Sequence, residues 1–598
     1  MASSPPVSSA RAENGRSRSD LLRAGARAGL FLANLREQGY PRSMSTFAPG
    51  ERFRFALQRA GRFVPVGGVV EGLGHLRPGR SGGSQLLIAP PDLRTADPVL
   101  ALDIYAGRFV FAGRAVETAG ASPFEIEPPS EDWLRELHSF RWLRHLKAAD
   151  TPLARSNARA ITEDWIRIYR RGAPIVWDTD ITAQRTLSFL AQSRLILDGA
   201  DHEVYRRFVQ TLVRHAVFLR TRIGTAKPGL PRLQAAIAIA MTGISLSGQA
   251  RLARAGLDRL DQELKKQILP DGGHISRNPA ILVQALIDLL PLRQALIARG
   301  ELPSELLIGS IDRMMPMLRF FRHGDGAFAH FNGASSSSRD LVATVLSYDE
   351  TLGMPISTAS YSGFERVQHG ESLLLVDAGA PPLPPFSTEA HAGTLSFEFS
   401  SRNQRIFINC GAPSARHLAL RRAARLTAAH CTAVLADESS SEFAGPTADA
   451  RIVSGPKVVT SKREGGKENR TALHLSHDGY VKRFGLIHRR GLRLAADGAM
   501  LEGTDQFAGP ADAQIRIFEL RFHLHHDIVA TLEQDEDAME LATPDGTRWR
   551  FSANYPLELE ESIEFSDVFP SRPTTQIVIA AETGAAPAVK WRLARIDE

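Results

Sequence analysis

Glu389-Ala-His-Ala-Gly-Thr-Leu-Ser-Phe-Glu-Phe399 is followed by Arg405-Ile-Phe-Ile-Asn-Cys-Gly411 and then by Thr427-Ala-Ala-His-Cys-Thr432. These pieces read as strand-like text. His391, Asn409 and His430 stand in them as separated polar points, the arrangement expected where a β-domain holds a metal ion or a substrate. Successive strand residues point to opposite faces, so if Asn409 and His430 share a face, Cys410 and Cys431 lie together on the other. A buried thiol pair, a disulfide and a sulfur recruited to a metal are the three readings of that placement. By the same rule Glu389, two residues from His391, is expected on His391's face, toward a cleft.

Working outward, short apolar runs with turn residues between them recur at 363–368, 372–377, 515–524, 528–532, 548–551 and 577–581. They read as a β-sandwich over residues 326–598, and the Pro-rich link 381–385 cannot occupy a central strand. Upstream the periodicity changes. Ser130-Glu-Asp-Trp133 reads as a helix N-cap followed by first-turn acids. Trp133, Leu137, Phe140, Leu143 and Leu146 then recur at three- and four-residue spacing as one apolar helix stripe. Similar stripes at 161–169, 186–197, 204–219, 233–246, 251–269 and 280–296, with no strands between them, predict an all-α domain over 129–325. Residues 51–128 read as an extended or hairpin lead-in, with a hairpin around 108–113.

A chain of 598 residues needs two or three domains. The net charge of +6 suits an acidic polymer partner but is dilute over this length. Two cysteines exclude a disulfide framework and a Cys-rich zinc module. No run of about 18 apolar residues is present, so no transmembrane segment is expected. Residues 1–50 read as a basic, disordered tail with a short amphipathic helix. Arg23 and Arg27 interrupt the apolar run a secretory signal needs, which points to the cytoplasm. Basic residues such as Arg421, Arg422 and Arg425 lack interleaved aromatics, so nucleic acid is not expected. Gly-rich phosphate loops and metalloprotease helices are missing from the positions where chemistry would need them.

The three opening segments resemble the signature of the heparinase II/III family of polysaccharide lyases, in which a His-x-His-Ala-Asp strand is followed by Val-Asp-x-Gly and Ala-Ala-His-Asn-Thr. Further likeness lies in Trp165-Ile-Arg-Ile-Tyr169, Trp177-Asp178 with Arg185, Asp271-Gly-Gly-His-Ile-Ser-Arg-Asn-Pro279, His330-Phe-Asn-Gly333 and Tyr361-Ser-Gly-Phe-Glu-Arg366. The resemblance implies an α/α toroid followed by an antiparallel β-sandwich, and a carbon–oxygen lyase that cleaves an acidic, uronate-containing polysaccharide by β-elimination. It also implies the cell envelope or periplasm. That reaction needs a base, an acid at the leaving oxygen and a group that neutralises the uronate carboxylate.

Carried over residue by residue, the resemblance makes His391 and His430 ligands of a structural zinc, with bracing histidines as the alternative. Asn409 stands where the family has an aspartate, which weakens that zinc. Glu389 takes the place of the catalytic histidine and Ile281 that of the tyrosine acid. Among the substitutes His274 and Arg277 are the remaining catalytic candidates, Arg277 as a carboxylate clamp. Asn332 and Arg185 are the substrate-binding candidates. His523, His525 and His526 form a late His-rich strand end that permits metal binding. Two functional readings follow: a lyase with altered catalytic groups, or a degenerate relative that binds an anionic glycan or envelope polymer without cleaving it.

Overall fold

The computed structural model describes residues 84–596 apart from 171–172, 336–338, 350–352, 415–416, 466–469, 511, 534–536, 567–570 and 585–587. The expected basic tail and helix of residues 1–50, and the lead-in as far as residue 83, lie outside the described residues. Beyond them the lead-in contains the expected hairpin, Arg108–Phe111 against Arg114–Glu117.

Ser130 caps the first long helix by accepting the Trp133 N–H at 3.2 Å. The stripe from Trp133 to Leu146 is buried throughout, yet it belongs to two helices, Glu131–Ser139 and Leu143–Ala149. Phe140 breaks them by adopting φ +56° as the C-cap. A one-face pattern cannot reveal such a break, because both helices pack the same face on the same core. The α-domain continues through Pro152–Ile168, Thr179–Ala191, His202–Arg222, Leu230–Ser245, Ala250–Gln267, Pro279–Ala298 and Glu305–Phe320. Helix Pro279–Ala298 is long and apolar enough to cross a membrane by composition, but 67% of that window is buried inside the protein. It is a core helix.

From Thr358 onward the chain is mainly antiparallel sheet. A five-stranded sheet carries Thr358–Ala359, Phe364–His369, Ser372–Asp377, Phe397–Ser401 and Gln404–Phe407 in sequence order. A four-stranded sheet places Glu558–Glu564, Arg572–Glu582, Ile517–His523 and Ala433–Leu435 side by side. An eight-stranded sheet starts with Val459–Gly465, Thr471–His477, Ile487–Leu494 and Met500–Ala508, and continues through Val589–Ile596 to an edge at Val529–Leu532. Its first four strands escape sequence reading for a physical reason. In Ile487–Leu494 two of the inward positions are His488 and Arg490, so the buried face does not look apolar. Asp505 answers both, accepting from His488 Nε2 at 2.8 Å and Arg490 Nε at 2.7 Å.

Two buried carboxylates of the sandwich tie it to the helical domain. Asp377 receives Arg277 and Asn332, while Glu398 receives His323 and the backbone N–H of His330. The apolar cluster of the helical domain takes in Ala359, Phe364, Leu373 and Leu375 of the five-stranded sheet, a second cluster fills the sandwich, and these polar links add to that contact.

Candidate functional site

The site is built where the loop before helix Pro279–Ala298 meets the sandwich. Asn278 caps that helix by accepting the Ala280 N–H at 3.0 Å, and Pro279 opens its first turn. Arg277, at φ +60°, turns its guanidinium across the domain boundary. Nε donates to Ser362 O at 2.6 Å, Nη1 to Gly379 O at 3.1 Å and Ala380 O at 3.0 Å, and Nη2 to Gly363 O at 2.8 Å and Asp377 Oδ1 at 2.5 Å. A guanidinium has five N–H donors, and these bonds engage them all. Burial pushes the Asp377 carboxyl above its ordinary value, and the Arg277 guanidinium, Gly379 N–H and Asn332 amide pull against that shift.

Asn332 continues the chain of contacts. Its Nδ2 donates to Asp377 Oδ2 at 3.0 Å, and its Oδ1 accepts the His391 N–H at 3.4 Å. His391 in turn meets His430, Nδ1 to Nε2 at 3.1 Å. Four of the residues singled out from the sequence, Arg277, Asn332, His391 and His430, therefore lie on one connected network. A Cβ on Gly393 would stand 2.7 Å from His430 Cδ2, so the ring packs directly on that bare backbone.

Both imidazoles are neutral. Burial drives His391 well below its usual range, with His430, Arg425 and Arg421 adding to it; burial takes His430 down to about 4 against the Leu426 and Thr427 backbone and the Glu398 carboxylate. The His430 Nδ1–H donates to Leu426 O at 2.9 Å, which leaves Nε2 as the acceptor facing His391. A carbonyl behind an imidazole is how metal-binding histidines are oriented. The separation is also near the ~3.3 Å between ligands sharing a tetrahedral zinc.

The rest of a zinc site is not assembled. Asn409 Oδ1 accepts the Cys431 N–H at 3.0 Å, and its Nδ2 donates to Glu398 Oε1 at 3.2 Å. Glu398 also accepts from His323 Nε2 at 2.9 Å and from the His330 and Asn409 N–H groups. Burial raises that carboxyl, but these donors leave it below the ordinary carboxylate value. A structural zinc takes four ligands. Two imidazoles with the amide of Asn409 engaged elsewhere do not fit that requirement.

Other expectations meet different surroundings. Residues 389–395 are irregular and the strand begins only at Phe397, so Glu389 and His391 do not alternate as strand neighbours. The Glu389 side chain is 53% exposed and lies 3.8 Å from Arg421 Nη2, whereas His391 is buried. Glu389 nonetheless sits near the helical loop: a Cβ on Gly333 would stand 2.9 Å from Glu389 O and 3.1 Å from Asn278 Nδ2. His274 is buried between Ser276 Oγ at 2.7 Å and Gln267 Oε1 at 3.1 Å, and burial lowers it to about 3.

Arg185 is not part of this network. It is fully buried, donates to the carbonyls of His138 and Val176, and lies 4.2 Å over the Trp165 ring. A core role replaces the substrate-binding expectation, because the side chain is enclosed by aromatic rings and carbonyls and burial lowers its pKa well below the ordinary value. Cys410 and Cys431 are free, buried thiols. Both flank His523, Cys410 Sγ 3.5 Å from its Nδ1 and Cys431 Sγ 3.2 Å from its N.

Sequence signals did not mark Asp377 or Glu398, whose importance comes only from what the helical domain brings to them. Tyr361 opens one of the stretches that carry the resemblance but was given no role there; it is 67% exposed, and its N–H donates to Asp271 at 2.9 Å.

Comparison with known proteins agrees with this architecture. Residues 352–592 match the family described as heparinase II/III-like, C-terminal. The chain is 29% identical over 532 residues to FtsZ-localized protein C of Caulobacter vibrioides (strain NA1000 / CB15N), covering 85% of this chain and 90% of that protein. Its fold superposes on heparinase III with a TM-score of 0.66 at 13% identity, covering 93% of this chain and 92% of the other. A mutant of the heparan sulfate lyase HepC from Pedobacter heparinus gives 0.61 at 16% identity, covering 91% and 88%. Residues 352–592 thus match the heparinase II/III-like C-terminal domain, and the chain as a whole, with its helical domain followed by antiparallel sheets, shares the fold of heparinase III and HepC.

Proposed function

We propose that this protein is a non-cleaving member of the family that binds an anionic glycan and acts where FtsZ assembles. The observation that carries the first half is the state of Arg277. β-Elimination requires a cation or donor free to hold the uronate carboxylate as charge moves onto it. Arg277 has no N–H left to offer. The position of the family tyrosine holds Ile281, which transfers no proton, and Glu389 points to solvent beside Arg421. A carboxylate there repels the uronate it would have to deprotonate.

Exposed groups on the segments that build this network still suit an acidic sugar. Tyr361 presents a ring, and Arg421 a guanidinium that is 27% exposed. The second half draws on the relative named for its localisation with FtsZ, whose likeness runs along most of both chains.

The test has two arms. Incubation with a panel of uronate-containing polymers is expected to produce no ultraviolet-absorbing unsaturated ends, while at least one polymer is retained in a binding assay. A fluorescent fusion is expected to coincide with FtsZ in cells. Product formation that disappears in Glu389→Ala or His430→Gln would establish the lyase reading instead, and a diffuse fusion would remove the FtsZ reading.

A further inference from the structure

The His-rich stretch after strand Ile517–His523 takes no part in the network of Arg277, Asn332, His391 and His430. It ends at a rim of the four-stranded sheet, where His525 and His526 come against Glu564, the last residue of strand Glu558–Glu564. His525 Nε2 lies 3.8 Å from Glu564 Oε2, and His526 Nδ1 is hydrogen-bonded to that same oxygen. One ligand atom from each residue falls within 4.8 Å of the others. His525 is 6% exposed and the Glu564 side chain 4%. The His525 Nε2 is buried without a hydrogen-bond partner, aimed at the carboxylate.

We propose that His525, His526 and Glu564 bind a divalent first-row transition ion, with zinc the best match. Two imidazoles and one carboxylate are a donor set for such ions, completed by water at the open position. The surroundings complete the case. Asp527 places its Oδ1 3.2 Å from His526 Nε2 and its Oδ2 3.6 Å from His525 Nδ1, behind both rings. Carboxylates behind imidazoles fix the proton on the outer nitrogen and turn the inner lone pair to the ion. Arg405 Nη1 lies 3.6 Å from Glu564 Oε1, an ion pair on the carboxylate oxygen that His526 does not bond.

Binding requires two local changes. His525 Nδ1, which accepts the Asp527 N–H at 3.3 Å, takes up the proton now on Nε2 and donates to the Asp527 carboxylate. The exposed Arg572 guanidinium beside His526 Nε2 swings to solvent, and the His526 proton shifts from Nδ1, where it meets Glu564, to Nε2, where it faces Asp527 Oδ1. The ion then pins the 524–527 corner to strand Glu558–Glu564. It shares no ligand with the His391–His430 pair and does not depend on whether the protein cleaves or binds glycan.

Cobalt(II) is the probe, added to chelator-stripped full-length protein and followed by visible absorption and metal analysis. One equivalent is expected, with a d–d band that persists in His430→Gln. His526→Gln and Glu564→Gln should each weaken uptake at least tenfold, and Asp527→Asn by about 10–100-fold. His526 is partly exposed and Asp527 51% exposed, so those two variants stay folded, checked by circular dichroism, even if Glu564→Gln does not. No uptake by the wild-type protein, or uptake unchanged in His526→Gln, overturns the assignment.

Discussion

Neutral, buried histidines make this protein sensitive to acid at the level of single side chains. Burial holds His430 at about 4 and His274 at about 3, against about 6.5 in an unfolded chain. Between those values the unfolded state binds protons that the folded state does not, so the stabilisation is complete above pH 6.5 and drains away as pH falls toward 4 and 3. Every tenfold difference in proton affinity between the two states corresponds to about 1.4 kcal/mol. Urea unfolding measured from pH 7 to pH 4 is expected to show falling stability, with a shallower decline in His274→Gln. A flat profile in the wild-type protein would contradict the buried neutral pair. These histidines were legible in the sequence as special positions, and the resemblance brought His391 and His430 together. The fate of Arg277 was not legible, because its partners are backbone carbonyls 85 to 103 residues further along the chain. The exposure of Glu389 was hidden for a similar reason: the period-two rule fails where the strand has not yet started.

At the scale of elements, helices Leu230–Ser245 and Ala250–Gln267 approach until their backbones touch. A Cβ on Gly243 would stand 2.2 Å from Ala253 N, and one on Gly256 2.3 Å from Ala240 N. Both helices were recognisable from their apolar periodicity to within a few residues. The glycines were not, since a helix interior normally disfavours glycine by about 1 kcal/mol and gives no hint of what crosses it. Backbone atoms cannot rotate away as a side chain can. Gly256→Ala is therefore expected to destabilise by at least about 1–3 kcal/mol, the usual range for overpacking, despite its better helix propensity. Thermal melting of that variant decides the point, and an unchanged or raised melting temperature would refute it. The sheet strands were legible where the inward face is apolar, as in Ser372–Asp377, and illegible where His488, Arg490 and Asp505 carry it.

For the molecule as a whole, Asp377 and Glu398 add buried polar links to an apolar seam in which Phe364, Leu373 and Leu375 of the sheet pack with the helical core. Removing one partner of a buried ion pair typically costs about 3–5 kcal/mol. Arg277→Ala is expected to lower the stability of both domains by that amount while leaving a single denaturation step, followed by intrinsic fluorescence and far-ultraviolet circular dichroism together. Separate steps for the two signals in the wild-type protein would refute the coupling. The order of helices before sheet was plain from the sequence, because the hydrophobic period changes once and does not return. The dependence of one on the other was not. The stretch that matches the family, 352–592, is thus no portable module: grafted onto another protein or expressed by itself, it would bring along two anions whose counterparts, at 277, 323, 330 and 332, had been left behind.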